Sequence, residues 1–199
     1  SNATKPPPPG QDASCLIDEG NALEDAGRLE EAMQRYESAI SLAPKLARAH
    51  LNRGNILLAR EKAEEALEAY GSALALDPDY AAAHYNLGNA HARLGRNEAA
   101  QGAYRAAIRL KPDFVDAEVA LGCVQEDLGQ LEEAAASYRR ALEIRPDYAE
   151  VHGNLGKVLR NMGQLDAAAT SYRKMLEINP AQAETHSALG DIFVGAWAS

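Results

Sequence analysis

Side-chain amides recur in this chain at a spacing suited to reading a polypeptide backbone. Asn52 and Asn55 stand three residues apart, and Asn86 and Asn89 repeat the pair 34 residues later. Residues three apart share a helix face, so each pair presents two neighbouring groups that both donate and accept hydrogen bonds. That is the complement of a peptide's own N–H and C=O groups, whatever side chains it carries. Four histidines, His50, His84, His152 and His186, also fall at multiples of this spacing. Separated by whole repeats, they cannot converge on one metal, and their position reads as packing. No glycine-rich phosphate loop, nucleophile elbow or paired-cysteine zinc pattern occurs. The chemistry on offer is hydrogen bonding and charge, so no catalytic residue, metal or cofactor is expected.

The elements that position these groups follow from the same period. Pro44, Pro78, Pro112, Pro146 and Pro180 each lie 34 residues after the last, and a fixed period of that length marks one supersecondary unit stacked several times. Repeats are counted from Ala13, Ala47, Ala81, Val115 and Ala149, with a sixth opening at Ala183. Position eight is then always Gly: Gly20, Gly54, Gly88, Gly122, Gly156 and Gly190. Position twenty is Ala (Ala32, Ala66, Ala100, Ala134, Ala168) and position twenty-four is Tyr (Tyr36, Tyr70, Tyr104, Tyr138, Tyr172). Position twenty-seven is Ala39, Ala73, Ala107 and Ala141, with Met175 the departure. Between these anchors apolar residues recur at helical spacing, as in Leu67, Tyr70 and Leu74.

Each repeat therefore reads as two helices that cross closely at the small residues, with the tyrosine filling the space beside them. A mid-helix Gly costs about 1 kcal/mol against Ala, so its recurrence implies a packing reason. A second Gly, at Gly27, Gly95, Gly129 and Gly163, is placed to close the first helix in the left-handed conformation. The second repeat has Glu61 there, which predicts a less ideal turn. The proline ends the second helix, and Asp79, Asp113 or Asp147 after it is suited to cap the next.

On these residues the chain resembles the tetratricopeptide-repeat family, whose signature is small residues at positions eight, twenty and twenty-seven, an aromatic at twenty-four and proline at thirty-two. The likeness spans residues 13–199 as repeats 13–46, 47–80, 81–114, 115–148 and 149–182 plus a partial 183–199. It implies an all-α, right-handed superhelical solenoid of antiparallel helix pairs: five full repeats and a terminal helix. Runs such as Ala83-His84-Tyr85-Asn86-Leu87-Gly88 and Val151-His152-Gly153-Asn154-Leu155-Gly156 resemble repeats of the O-linked N-acetylglucosamine transferases and of similar bacterial arrays. In the family the first helices line a concave groove, with positions two, five, six, nine, twelve and thirteen facing it. Position six then reads Asp18, Asn52, Asn86, Ala120, Asn154 and Ala188, and position nine Asn21, Asn55, Asn89, Cys123, Lys157 and Asp191. In the sugar transferases a similar asparagine ladder is held to grip peptide backbone; here it is broken at Ala120.

The same positions carry Asp18, Glu24, Asp25, Asp116, Glu126, Asp127, Glu150, Glu184 and Asp191 against Arg48, Arg93, Lys157 and Arg160, a balance suited to a basic or mixed-charge peptide. The resemblance thus points to a peptide-binding groove of Asn21, Asn52, Asn55, Asn86, Asn89, Asn154, Arg48, Arg93, Lys157 and Asp116. Chaperone-binding members clamp a C-terminal carboxylate with two asparagines and three basic residues. Those positions hold Ile17, Asn21, Asn52, Ala82 and Asn86 here, with no base, so acidic chaperone tails are not expected to bind.

Composition narrows the partners further. A net charge of −9 argues against nucleic acid. No apolar run approaches about 18 residues, so no membrane partner is expected. Cys15 and Cys123 are far apart in sequence and read as free thiols of a reducing compartment, the cytoplasm. Ser1-Asn2-Ala3 reads as an expression scar and Pro6 to Pro9 as a stiff tail, so residues 1–12 are expected to lack a core. At the other end Leu189, Ile192, Phe193, Val194 and Trp197 are apolar on more than one side, where a terminal helix is normally polar. That suggests a truncated array or self-association through this helix. Three readings stay open: a non-catalytic protein-interaction scaffold, the targeting domain of a larger enzyme such as a glycosyltransferase, and a self-assembling module.

Overall fold

A computed structural model describes residues 12–181. Within them lie ten α-helices and no strand: α1 (Ala13–Asp25), α2 (Leu29–Leu42), α3 (Ala47–Ala59), α4 (Ala63–Leu76), α5 (Ala81–Arg93), α6 (Asn97–Leu110), α7 (Val115–Asp127), α8 (Leu131–Ile144), α9 (Ala149–Asn161) and α10 (Leu165–Ile178). The all-α, two-helices-per-repeat architecture is the one the period implies. The expectations for the proline tail and the apolar terminal helix concern residues outside those described, His186 included. The chain divides into two compact units after Leu110, the first holding α1–α6 and the second α7–α10.

In the first unit α1 packs on α2, α3 on α4 and α5 on α6. The stack continues through α2–α3 and α4–α5, and α3 also touches α5. The crossing within each pair is fixed by one glycine and one tyrosine. A Cβ built on Gly54 would lie 2.5 Å from Cε1 of Tyr70, and one on Gly88 2.5 Å from Cε1 of Tyr104. Tyr36 and Tyr70 are fully buried, so the ring occupies the volume that a side chain at position eight would need. The second unit repeats the arrangement with Gly122 against Tyr138 and Gly156 against Tyr172, in the pairs α7–α8 and α9–α10.

The turns inside repeats also follow the sequence. Gly27, Gly95, Gly129 and Gly163 all have positive φ, and Glu61 adopts φ 61° in the same role. There Lys62 N–H reaches back to Leu57 O at 2.9 Å, as Arg28 N–H does to Leu23 O at 2.8 Å, so Glu61 keeps the glycine geometry at the steric cost of its Cβ. The expected aspartate caps are not formed. The N-cap residues of α5, α7 and α9 are Tyr80, Phe114 and Tyr148, none with a side-chain cap. The aspartate falls one residue too early, inside the turn, where Asp79 N–H instead meets Asp77 Oδ1 at 3.2 Å.

Position four has a use that packing alone did not suggest. Nε2 of His50, His84 and His152 lies 2.8–2.9 Å from the carbonyl of Pro44, Pro78 and Pro146. A carbonyl only accepts, so each imidazole donates and ties its helix to the loop before it.

Candidate functional site

In the first unit the asparagines form a ladder whose rungs run between repeats. Asn52 Nδ2 donates to Asn21 Oδ1 at 2.9 Å, and Asn86 Nδ2 donates to Asn55 Oδ1 at 2.8 Å. Position six of one repeat thus bonds position nine of the repeat before it, rather than its neighbour on its own helix. The position-nine oxygens also accept from the tyrosines, which for Asn89 is the one donor among the described residues. Tyr70 hydroxyl donates to Asn55 Oδ1 at 3.0 Å, and Tyr104 to Asn89 Oδ1 at 2.8 Å. Tyr36 hydroxyl shares its proton between Asn21 Oδ1 and Glu24 Oε2, both at 2.9 Å. Burial, with Glu24 adding to it, pushes the Tyr36 hydroxyl far above the ordinary tyrosine range. Burial does the same to Tyr70, so both remain donors at any physiological pH.

These bonds orient the amides. With Oδ1 of Asn21 and Asn55 facing the tyrosines, Nδ2 of each is left without a partner among the described residues, as is Oδ1 of Asn52 and Asn86. Asn21, Asn55 and Asn86 are half-buried, whereas Asn52 is buried, at 9% exposure. The tyrosine hydroxyls are the functional groups the sequence reading missed. The signal was there: position twenty-four is Tyr, never Phe, in all five repeats.

The charged candidates are largely committed. Arg48 pairs with Asp18 at 3.7 Å, both exposed. Arg93 donates through Nη1 to Leu58 O at 3.0 Å, a carbonyl in the last turn of α3 that also accepts from Glu61 N–H. Asp25, the last residue of α1, is exposed.

The second unit builds its tyrosine environment differently. Cys123 replaces the position-nine amide, and Tyr138 hydroxyl lies 2.6 Å from Glu126 Oε1 and 3.4 Å from Cys123 Sγ. Lys157 Nζ closes on Glu126 Oε2 at 2.6 Å. Cys123 is an exposed residue whose thiol is raised above its ordinary range by desolvation around the sulfur. Asn154 is half-buried on α9, and Asp116 is exposed in the first turn of α7. No hydrogen bond joins either to another candidate residue.

One further hollow opens between the first two repeats, about 480 Å³ in volume and lined by Ala43, Pro44, Lys45 and Leu46. Leu46 stands where later repeats have Tyr80, Phe114 and Tyr148, and no polar groups converge in it. Among the described residues no group of His, Cys, Asp and Glu is arranged to hold a metal ion, and no helix is long and apolar enough to cross a membrane.

Family models agree with this geometry. The model described as TPR repeat matches residues 20–59, 54–95, 126–163 and 156–195, and the one described as tetratricopeptide repeat matches residues 81–114. No curated protein matches the chain. Among solved structures, MamA is 25% identical with a TM-score of 0.76, over 83% of this chain and 96% of that one. YrrB, described as a TPR protein with an unusual peptide-binding site, is 24% identical with a TM-score of 0.73, over 86% of this chain and 89% of that one. MamA from Desulfovibrio magneticus is 20% identical with a TM-score of 0.78, over 87% and 98%.

Proposed function

The chain belongs to the tetratricopeptide-repeat family, and from that premise we propose that it is a non-catalytic scaffold holding an extended segment of a protein partner against the asparagine ladder of repeats one to three. The observation that carries this is the half-used amide. Each position-nine asparagine spends its oxygen on the fold and keeps its N–H donors, while Asn52 and Asn86 spend one N–H and keep their oxygen. The face therefore offers donors and acceptors already fixed in orientation, so little side-chain freedom is lost when a ligand binds. Neighbouring helices sit roughly 8–10 Å apart and an extended strand rises about 3.3 Å per residue, so one donor–acceptor set meets the ligand backbone about every third residue. The described peptide-binding site of YrrB supports the same use of a shared fold.

Charge favours a basic or mixed-charge segment. In the first unit Arg48 is paired with Asp18, while Asp25 is exposed. Arg48 and Arg93 flank the ladder in the first unit, while Asn154, Lys157 and Asp116 belong to the second unit and lie outside this ladder. The free thiols Cys15 and Cys123 fit a reducing, cytoplasmic setting.

The test is binding of short basic, acidic and neutral peptides to the wild type and to Asn55→Asp. Aspartate keeps an oxygen for Tyr70 and Asn86 but replaces the outward N–H₂ with a second acceptor. Affinity for the neutral peptide, which the added charge does not attract, should fall about tenfold, the size of one or two hydrogen bonds, with the thermal midpoint nearly unchanged. Binding that is indifferent to Asn55→Asp and to Asn21→Asp would move the site off this face.

A further inference from the structure

The ladder face is not the same from end to end, and we propose that it selects a two-part segment: a basic residue held at Glu24 and Asp25, and an aromatic or large aliphatic residue about six positions away held at Tyr85 and Ala82. This rests on the reading above, that the ladder binds an extended backbone, and adds which side chains the backbone must carry.

At the first end the uncompensated charge is well localised. Asp18 is matched by Arg48 at 3.7 Å, so its charge is largely cancelled. Glu24 is fixed by the Tyr36 hydroxyl at 2.9 Å, the same hydroxyl that meets Asn21, which sets its carboxylate directly beside the first rung. Tyr36 supplies a donor and no positive charge, and among the described residues no ion pair is formed by Glu24. The field of that carboxylate also reaches the Tyr70 hydroxyl of the second repeat, where Arg93 opposes it. Asp25, the next residue, is exposed. A cation arriving here meets two carboxylates, one of them already held in place.

At the other end the face changes character. Ala82, Tyr85, Asn86 and Asn89 stand at i, i+3, i+4 and i+7 of α5, one helical face. The half-buried Tyr85 ring lies 5.8 Å from the Tyr104 ring, tilted by 45°, and Tyr104 in turn donates to Asn89. The Tyr85 ring is thereby supported from behind, flanking the last amide, and Ala82 beside it packs on the core of the unit. No carboxylate stands on this face of α5. Its one charge, Arg93, is anchored to Leu58 O at 3.0 Å. With no carboxylate on this helix face, a cation is held only at the first end.

Two helix-to-helix steps of roughly 8–10 Å separate repeat one from repeat three, the seven-residue offset between Glu24 and Tyr85 along their helices adds about 10 Å, and an extended chain covers the diagonal in about six residues. An apolar side chain placed there rests on an aromatic ring and an alanine methyl while its backbone stays on the amides. The spacing is what distinguishes this from general attraction of basic peptides to an acidic protein, which would be indifferent to where the apolar residue stands.

Three synthetic peptides of equal composition test it on the full chain by fluorescence anisotropy. One carries Lys with Phe about six residues later, one the reverse order, and one Lys and Phe adjacent. One of the spaced peptides should bind about tenfold tighter than the adjacent one. Tyr85→Ser should remove that advantage and leave a Lys-only peptide unaffected. Glu24→Gln with Asp25→Asn, which keeps an acceptor for Tyr36, should abolish the salt dependence of the Lys-only peptide and leave a Phe-only peptide unchanged. If all three peptides bind equally and Asn55→Asp weakens a neutral peptide, the two-part selection is wrong while the backbone reading stands. If Asn55→Asp changes nothing, both are wrong.

Discussion

Gly54→Ala and Gly71→Ala are the same substitution in the two helices of one repeat, and they should change stability in opposite directions. In both helices alanine is favoured over glycine by about 1 kcal/mol through propensity. At Gly71 nothing opposes this, because an added Cβ meets no atom within 4 Å. At Gly54 the added Cβ would lie 2.5 Å from Cε1 and 2.8 Å from Cδ1 of Tyr70. That ring cannot swing aside: it is fully buried, and its hydroxyl is tethered to Asn55 at 3.0 Å. Relief must come from α3 and α4 separating, and overpacking of this kind costs about 1–3 kcal/mol. Losing the Tyr70–Asn55 bond adds about 1 kcal/mol. Against the propensity gain, Gly54→Ala should destabilise by about 2 kcal/mol while Gly71→Ala stabilises by 0.5–1 kcal/mol, a gap of about 3 kcal/mol. Urea unfolding followed by circular dichroism reads that gap directly, and in thermal melts it corresponds to roughly 6–12 °C. The Gly54→Ala penalty should also shrink in a Tyr70→Leu background, since the two changes share one contact. If Gly54→Ala raises the midpoint as Gly71→Ala does, the helix crossing is not set by this contact and the repeated glycine has no packing role.

Two further predictions concern the polar groups buried in single repeats. Glu118 is only 3% exposed at its side chain, is bonded by Arg140 Nε at 3.0 Å, and keeps Oε2 without a partner among the described residues. Arg140→Met should therefore cost about 3 kcal/mol by leaving a buried charge unpaired. Glu118→His, which restores the residue of the neighbouring repeats, should stay within about 1 kcal/mol of wild type; equal losses in denaturant midpoint would contradict this. His91 has a buried Nδ1 with no partner, and desolvation, then the charge of Arg96, lowers its pKa below the ordinary 6.5. The unfolded chain then binds the proton more readily than the folded one, so stability is full above pH 6.5 and falls as pH drops through that value toward the folded pKa. His91→Leu, the residue at this position in repeats one, two and five (Leu23, Leu57, Leu159), should flatten the dependence of the urea midpoint between about pH 7 and 5.5.

What the sequence revealed of the fold was whatever recurs. Gly54 and Tyr70, or Gly122 and Tyr138, could be paired because the same types stand sixteen residues apart in every full repeat. Features confined to one repeat were not legible, because they arise from compensation. Met175 is the departure at position twenty-seven, and Gly153 is the one glycine at position five. A Cβ on Gly153 would lie 2.8 Å from Met175 Sδ, so the methionine fills the volume that the small residue vacates. Each looks anomalous alone, and only their contact explains both. The aspartates after the prolines misled for a related reason: their type suits a cap, but the turn places a tyrosine or phenylalanine at the capping position.

The candidate site was legible as a set of residues and not as a mechanism of holding them. Position and type identified Asn21, Asn52, Asn55, Asn86 and Asn89, but spacing along a helix suggests neighbours within it, whereas the bonds run between helices. This matters for any test of function. Asn55→Ala would remove the acceptor for Tyr70 and for Asn86 together with the outward N–H₂, so loss of binding could follow from loss of register between repeats. Asn55→Asp separates the two roles, because the fold uses only the oxygen and a ligand would use only the nitrogen. An amide divided in this way explains why a stack of near-identical repeats can keep its register and still leave hydrogen-bonding capacity on its surface. The second unit supplies the contrast: with Cys123 in the ladder position, Tyr138 turns to Glu126 and Lys157 neutralises it, so that register is held by an ion pair and the corresponding outward donors are gone.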